Sequence, residues 1–209
     1  MSEKTRNILE WAGCVVIALV ITLLFRYYVV TPTVVKQESM YPTLIENQRL
    51  IVTRTFRITG KVPEVGDIVT FEAPTYRYSS SNADQSNPVA IYTEEDRNII
   101  DNFLYNIIEV TKKSYIKRVI AAEGDHVEIK DGVVFVNGIQ LQEKYLQSDV
   151  VTESNVFYDF IVPEGYMFCM GDNRTKSIDC RELGCIPVEK IEGIVVFRFW
   201  PFNVAGNVD

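Results

Sequence analysis

EIKDGVVFVNG, residues 128–138, decides the fold class. Asp131-Gly132 separates two apolar-rich runs, and Asn137-Gly138 follows the second. Asp-Gly and Asn-Gly supply the positive φ angles that two-residue hairpin turns require. Similar runs lie on both sides. RLIVTRTF (49–56) sets Leu50, Val52 and Phe56 at even spacings, and DIVTF (67–71) follows. YMFCM (166–170) stops at a Gly-Asp-Asn turn, and IVVFRFW (194–200) stops at Pro201. Short strands joined by tight turns predict a mainly β body. The expected form is a curled or partly closed antiparallel sheet.

Two stretches interrupt the strands, as an insertion over about 73–112. Residues 73–92 are polar and turn-rich and read as a mobile surface loop. In 93–112, Thr93 is a candidate cap before the acids Glu94, Glu95 and Asp96. Ile99, Ile100, Phe103, Leu104, Ile107 and Ile108 then recur at helical spacing. This amphipathic helix either pads the core or lies on the membrane. Its acidic start disfavours anionic lipid.

At the N-terminus, WAGCVVIALVITLLFRYYVV (11–30) is long enough to cross a bilayer. Trp11 and Tyr27-Tyr28 bracket it as interfacial aromatics, and Arg26 can snorkel. The sequence after it lacks the small residues of a signal cleavage site, so an uncleaved single-pass anchor is expected. Lys4 and Arg6 are balanced by Arg26, Lys36 and Arg49, so charge does not set the orientation.

The 209 residues carry a formal charge of −7, which argues against an electrostatic grip on nucleic acid. A single histidine, His126, excludes multi-histidine metal sites. Cys14, Cys169, Cys180 and Cys185 lack zinc-finger spacing. Cys169 reads as a core residue. A Cys180–Cys185 bridge stays open, because it depends on Cα spacing.

Amide hydrolysis needs a nucleophile and a base. His126, beside Asp125, reads as an exposed turn residue. A lysine base must be neutral, which burial among apolar groups favours. Lys117 lies in the apolar run YIKRVIAAEGD (115–125), with Arg118 on the opposite face by strand alternation. Taken alone, Lys117 reads equally as a snorkelling edge lysine, and Ser39 as a loop serine.

Four blocks change that weighting: QESMYPTL (37–44), GDIVTF (66–71), YIKRVIAAEGD (115–125) and GDNRTKSIDCRELG (171–184). Their order, behind an anchor, resembles the bacterial type I signal peptidases, membrane-bound Ser/Lys serine proteases. The resemblance runs from residue 11 to about 202. It implies Ser39 as nucleophile and Lys117 as general base. The Ser39 N–H would serve the oxyanion, with Gln37 where relatives carry a hydroxyl. Ser177 would orient the lysine. Asp179 and Arg181 would form a bracing ion pair, Gly171, Asp172, Asn173 and Arg174 a supporting turn, and Met40 and Pro42 would shape the nucleophile loop. Glu38, Lys176 and Cys180 depart from common family residues. Near the lysine, Glu38 would oppose catalysis.

The resemblance further implies no cofactor and no metal. The implied partners are signal peptides of secreted pre-proteins and membrane lipid, with the export translocon as a further candidate and no nucleic acid. It implies a plasma-membrane location, with residues 1–10 cytoplasmic, 11–30 as anchor and 31–209 as an extracytoplasmic catalytic β domain. Two rivals are a self-cleaving repressor-type Ser/Lys protease and a non-catalytic anchored β binding domain. The first lacks an Ala-Gly pair between the anchor and the serine block. Gln37 and Glu38 support the second.

Overall fold

The computed structural model describes residues 2–93, 96–109 and 112–208. The N-terminal helix α1 covers Glu3–Tyr28 and is capped by Ser2, whose Oγ accepts from the Thr5 N–H. It is long and apolar enough to cross a membrane, and none of its residues is buried. It therefore begins before Trp11, and Val30 already belongs to the first strand. Arg26 turns toward the body, where Nη2 donates to the Ile108 carbonyl at 2.9 Å.

The described residues form twelve strands in two sheets. One holds β1 (Val30–Val34), β2 (Arg49–Thr53), β3 (Ile68–Glu72), β4 (Ser114–Ala122), β9 (Tyr166–Met170), β10 (Ile186–Pro187), β11 (Ile191–Trp200) and β12 (Gly206–Asn207). The other holds β5 (His126–Lys130), β6 (Val133–Val136), β7 (Ile139–Gln140) and β8 (Asp159–Ile161). Every strand pair is antiparallel.

The expectation of a curled or partly closed sheet is corrected. The large sheet runs β1-β2-β11-β3-β4-β9-β10, with β12 beside β11, and the small one runs β7-β6-β5-β8. Neither returns on itself. The large sheet's edges carry Pro32 in β1 and Pro187 in β10. Proline offers no N–H to a further ladder, which confines it to edges. Strand periodicity reports which face is buried, but not whether first and last strands meet.

The hairpin at 128–138 folds as its turns dictate. Asp131 and Gly132 both have positive φ between β5 and β6, as do Asn137 and Gly138 between β6 and β7. Side chains from both sheets share the main core, with Phe71, Val119, Phe157, Phe160 and Phe168 at its centre. A second cluster of Val35, Met40, Leu44, Leu50, Val52, Ile68 and Val195 lies beneath the Ser39 turn.

Residues 73–92 are irregular but pinned to the body. Tyr78 packs on Phe157 with ring centroids 5.0 Å apart, and Val89 bridges Cys185. The downstream helix covers Ile99–Phe103 and continues as a π-helical turn, Leu104–Ile108. Asn98 caps it, accepting from the Asp101 N–H, in place of Thr93. Glu94 and Glu95 lie outside the described residues. The Ile99 and Ile100 side chains are exposed, which excludes core padding there.

Candidate active site

Ser39 lies in a single 3₁₀ turn, Glu38–Met40, between β1 and β2. Buried Met40 and Leu44 anchor this turn from below. A cis Tyr41–Pro42 peptide follows it. The adjoining backbone is held from outside, because the Asn173 N–H donates to the Ser39 carbonyl at 3.0 Å and Asn173 Nδ2 donates to the Glu38 carbonyl at 3.1 Å.

Lys117 comes from β4, paired opposite Val69 in the middle of the sheet. It is 1% exposed. Its Nζ donates to Ser39 Oγ at 2.7 Å and to the Ile116 carbonyl at 3.1 Å. Burial penalises the ammonium form and lowers this pKa to about 8. Asp179 pulls in the opposite direction but is itself neutralised by Arg181.

Behind the pair, the 171–181 segment is braced by buried charges. Asp179 accepts from Arg181 at 2.8 and 2.9 Å and from the Gly171 N–H at 3.0 Å. Burial alone would raise this carboxyl, but Arg181, with the Gly171 N–H and Ser177, holds Asp179 below its ordinary range. Arg174 donates to the Gly171 carbonyl at 3.1 Å and to Thr152 at 2.8 Å, and it ion-pairs with Glu143. Asp172 takes both Arg118 Nε and Nη2, at 3.1 and 2.9 Å, and the Thr43 hydroxyl at 2.5 Å. Thr43, Glu143 and Thr152 were not legible as partners from spacing, since each is far in sequence from the residue it meets.

Gly171 is required by close approach. A Cβ there would sit 2.2 Å from Ser177 Oγ and 2.4 Å from the Ser39 carbonyl. Ser177 is thus near the pair, but its buried Oγ has no hydrogen-bond partner of acceptable geometry. It lies close enough to Asp179 to favour the ionised carboxylate. The two hydrogen bonds from Lys117 go instead to Ser39 and Ile116.

Gln37 is exposed and lines the cleft beside Ser39. Glu38 points away from the lysine and meets Lys176 at 3.0 Å on the surface. His126 lies in the small sheet, half-buried, with Nε2 2.8 Å from Asp159. All four cysteines are free thiols, so Cys180 and Cys185 are not bridged. Burial raises both thiols well above their usual range, and Cys180 contacts Cys169.

The cleft holds about 540 Å³. Thr31–Gln37 form one wall, and Lys112–Ile116 the other. Among the described residues, no cluster of His, Cys, Asp and Glu could hold a metal ion.

A buried serine hydroxyl hydrogen-bonded to a buried lysine of lowered pKa is an arrangement that can serve a serine hydrolase. Known proteins agree at the family level. The family model described as signal peptidase, peptidase S26, matches residues 8–200. Thylakoidal processing peptidase 1 of Arabidopsis thaliana is 35% identical, over 88% of this chain and 46% of its own length. This chain thus spans about half of that relative. Signal peptidase I T of Bacillus subtilis (strain 168) is 32% identical, over 96% of this chain and 90% of its own length. Signal peptidase I of Bacillus licheniformis is 32% identical, over the whole of this chain and 97% of its own. The chain belongs to the signal peptidase family, peptidase S26, and is a serine endopeptidase with one N-terminal membrane-anchoring helix.

Proposed function

We propose that this chain removes N-terminal signal peptides from exported pre-proteins, using Ser39 as nucleophile and Lys117 as general base. The observation that carries this reading is the 2.7 Å bond from Lys117 Nζ to Ser39 Oγ, with both side chains buried. A lysine with a pKa near 8 is about one-tenth neutral at pH 7, several hundred times more than at its ordinary pKa.

The precursor lies extended in the cleft, against the β1 edge that β2 leaves unpaired. Val35, Met40 and Ile116 line the cleft near Ser39 and suit small apolar side chains before the cut. Neutral Lys117 takes the Ser39 proton as Oγ attacks the scissile carbonyl. The Ser39 N–H, at the start of a helical turn where N–H groups lack intrahelical partners, faces the developing oxyanion. Gln37, which lines the cleft, adds a side-chain donor. Protonated Lys117 then donates to the leaving amine, and water cleaves the acyl-enzyme ester. Ser177, Asp179 and Arg181 hold the wall behind Lys117. Asp172 and Asn173 hold the Ser39 turn and the chain after it, Arg174 braces Gly171, and Met40 and Pro42 lie beneath and after the turn.

The body, residues 31–209, faces the extracytoplasmic side, and residues 1–10 stay in the cytoplasm. The anchor keeps Ser39 close to the bilayer, where precursors leave the translocon. Ser39→Ala should give a folded protein that leaves a signal-bearing precursor intact. Wild-type cleavage by that variant would remove Ser39 from the reaction.

A further inference from the structure

The 99–108 helix is packed with its faces reversed. Helical spacing puts Ile99, Ile100, Phe103, Leu104 and Ile107 on one side and Tyr105 on the other. A helix on a soluble domain turns its apolar stripe to the core. Here Tyr105 reaches the body, donating its hydroxyl to Glu72 at 2.8 Å. Ile99, Ile100, Phe103 and Leu104 remain 90%, 71%, 47% and 39% exposed.

The C-terminal end of this helix is tied to the membrane anchor. Arg26, in the last turn of α1, donates to the Ile108 carbonyl. Glu109 pairs with buried Arg54 at 2.6 Å and stands 3.9 Å from Arg26. The helix that carries this outward apolar face thus ends beside the last turn of α1.

We propose that residues 99–108 form a second membrane contact, lying in the bilayer interface with Ile99, Ile100, Phe103 and Leu104 among the acyl chains. The acids Asp96 and Asp101 flank that face and select zwitterionic over anionic headgroups. Glu109, Lys112 and Lys113 follow directly and line the cleft, so the depth of this helix fixes the height of the cleft above the membrane. This inference rests on α1 spanning the bilayer.

The test uses the full chain in phosphatidylcholine vesicles, labelled at one exposed cysteine while Cys169, Cys180 and Cys185 stay buried. In a Cys14→Ala background, a fluorophore at Phe103→Cys should be quenched by brominated lipid and protected from aqueous iodide. The same label at Ile139→Cys, exposed on β7, should behave in the opposite way. Native Cys14, exposed on α1, reports the anchor itself. Iodide access at position 103 with lipid quenching at Cys14 overturns the interfacial helix alone. Loss of lipid quenching at both positions overturns the anchor along with it. Protection from iodide without lipid quenching means that a second copy covers the face, and it overturns the lipid assignment. Adding phosphatidylglycerol should reduce lipid quenching at 103, and an increase would overturn the headgroup preference. As a second readout, Ile99→Ser/Ile100→Ser/Phe103→Ser should cleave a soluble peptide normally and lose activity on a vesicle-embedded precursor. Equal activity on both substrates would overturn the role in setting cleft height.

Discussion

Lys117 and Arg118 stand side by side on β4 and face opposite sides of the sheet, both almost wholly buried. Arg118 is neutralised by a two-pronged pair with Asp172 and a further bond to the Gly66 carbonyl. Lys117 has no carboxylate within ion-pair distance among the described residues. It meets a hydroxyl and a carbonyl instead. A guanidinium cannot shed its proton in this range, so its burial demands a counter-charge. An ammonium can, and burial without a counter-charge lowers its pKa. The hydroxyl of Ser39 accepts from Lys117 when the lysine is charged and can donate to it when neutral. One strand thus holds a cation that fixes structure beside an amine available for proton transfer.

The largest expected effect comes from making the two cations alike. Lys117→Arg preserves charge and approximate length but removes the proposed base. Precursor cleavage should fall by about 10³-fold or more, with the circular dichroism spectrum unchanged. Activity near wild type would erase the distinction between the two residues.

On the other face the expected loss is in stability. Asp172→Ala takes from buried Arg118 the carboxylate that receives both its Nε and Nη2. Urea unfolding should report a loss of about 3–5 kcal/mol. A loss below about 1 kcal/mol would mean that Arg118 does not need its partner.

Lys117→Met should act in the reverse direction from Asp172→Ala, abolishing cleavage while stabilising the fold. The folded pKa of Lys117 is about 8, against an ordinary value of 10.5. Between these values the unfolded chain binds more protons, so the lysine's contribution to wild-type stability improves as pH rises. The burial penalty is complete below pH 8 and gone above 10.5. The methionine variant should therefore gain about 3 kcal/mol below that window, and the gain should vanish above it. Unfolding curves at both ends of the window check the sign.

A surface pair sets the lower limit of the comparison. Lys176 and Glu38 touch but are mostly exposed. Lys176→Ala should shift stability by less than about 1 kcal/mol. A larger change in urea unfolding would show that this pair helps hold the Ser39 turn.

Much of this contrast was legible before the fold. Strand alternation assigned Lys117 and Arg118 to opposite faces, because side-chain period in a strand is fixed by the backbone. Asp131-Gly132 and Asn137-Gly138 announced their turns through residues that tolerate positive φ. Contacts between distant segments carry no such local signature. The Arg118–Asp172 pair joins residues 54 positions apart, and the Glu143–Arg174 pair joins residues 31 apart. The open sheet depends on whether the β1 and β10 edges meet, which Pro32 and Pro187 hinted at only once the strand order was known. The apolar spacing of 99–108 identified a helix but not the direction of its face. That direction is set by the Tyr105–Glu72 bond and the tie to Arg26.

In the proposed reaction Lys117 is a buried amine that loses its proton near neutral pH. This property is tested most directly by titrating that residue in protein labelled with ¹³C at the lysine Cε, with its resonance assigned by its disappearance in Lys117→Arg. A midpoint near 8 is expected. A midpoint at the ordinary 10.5 would leave Ser39 without its base and contradict the account.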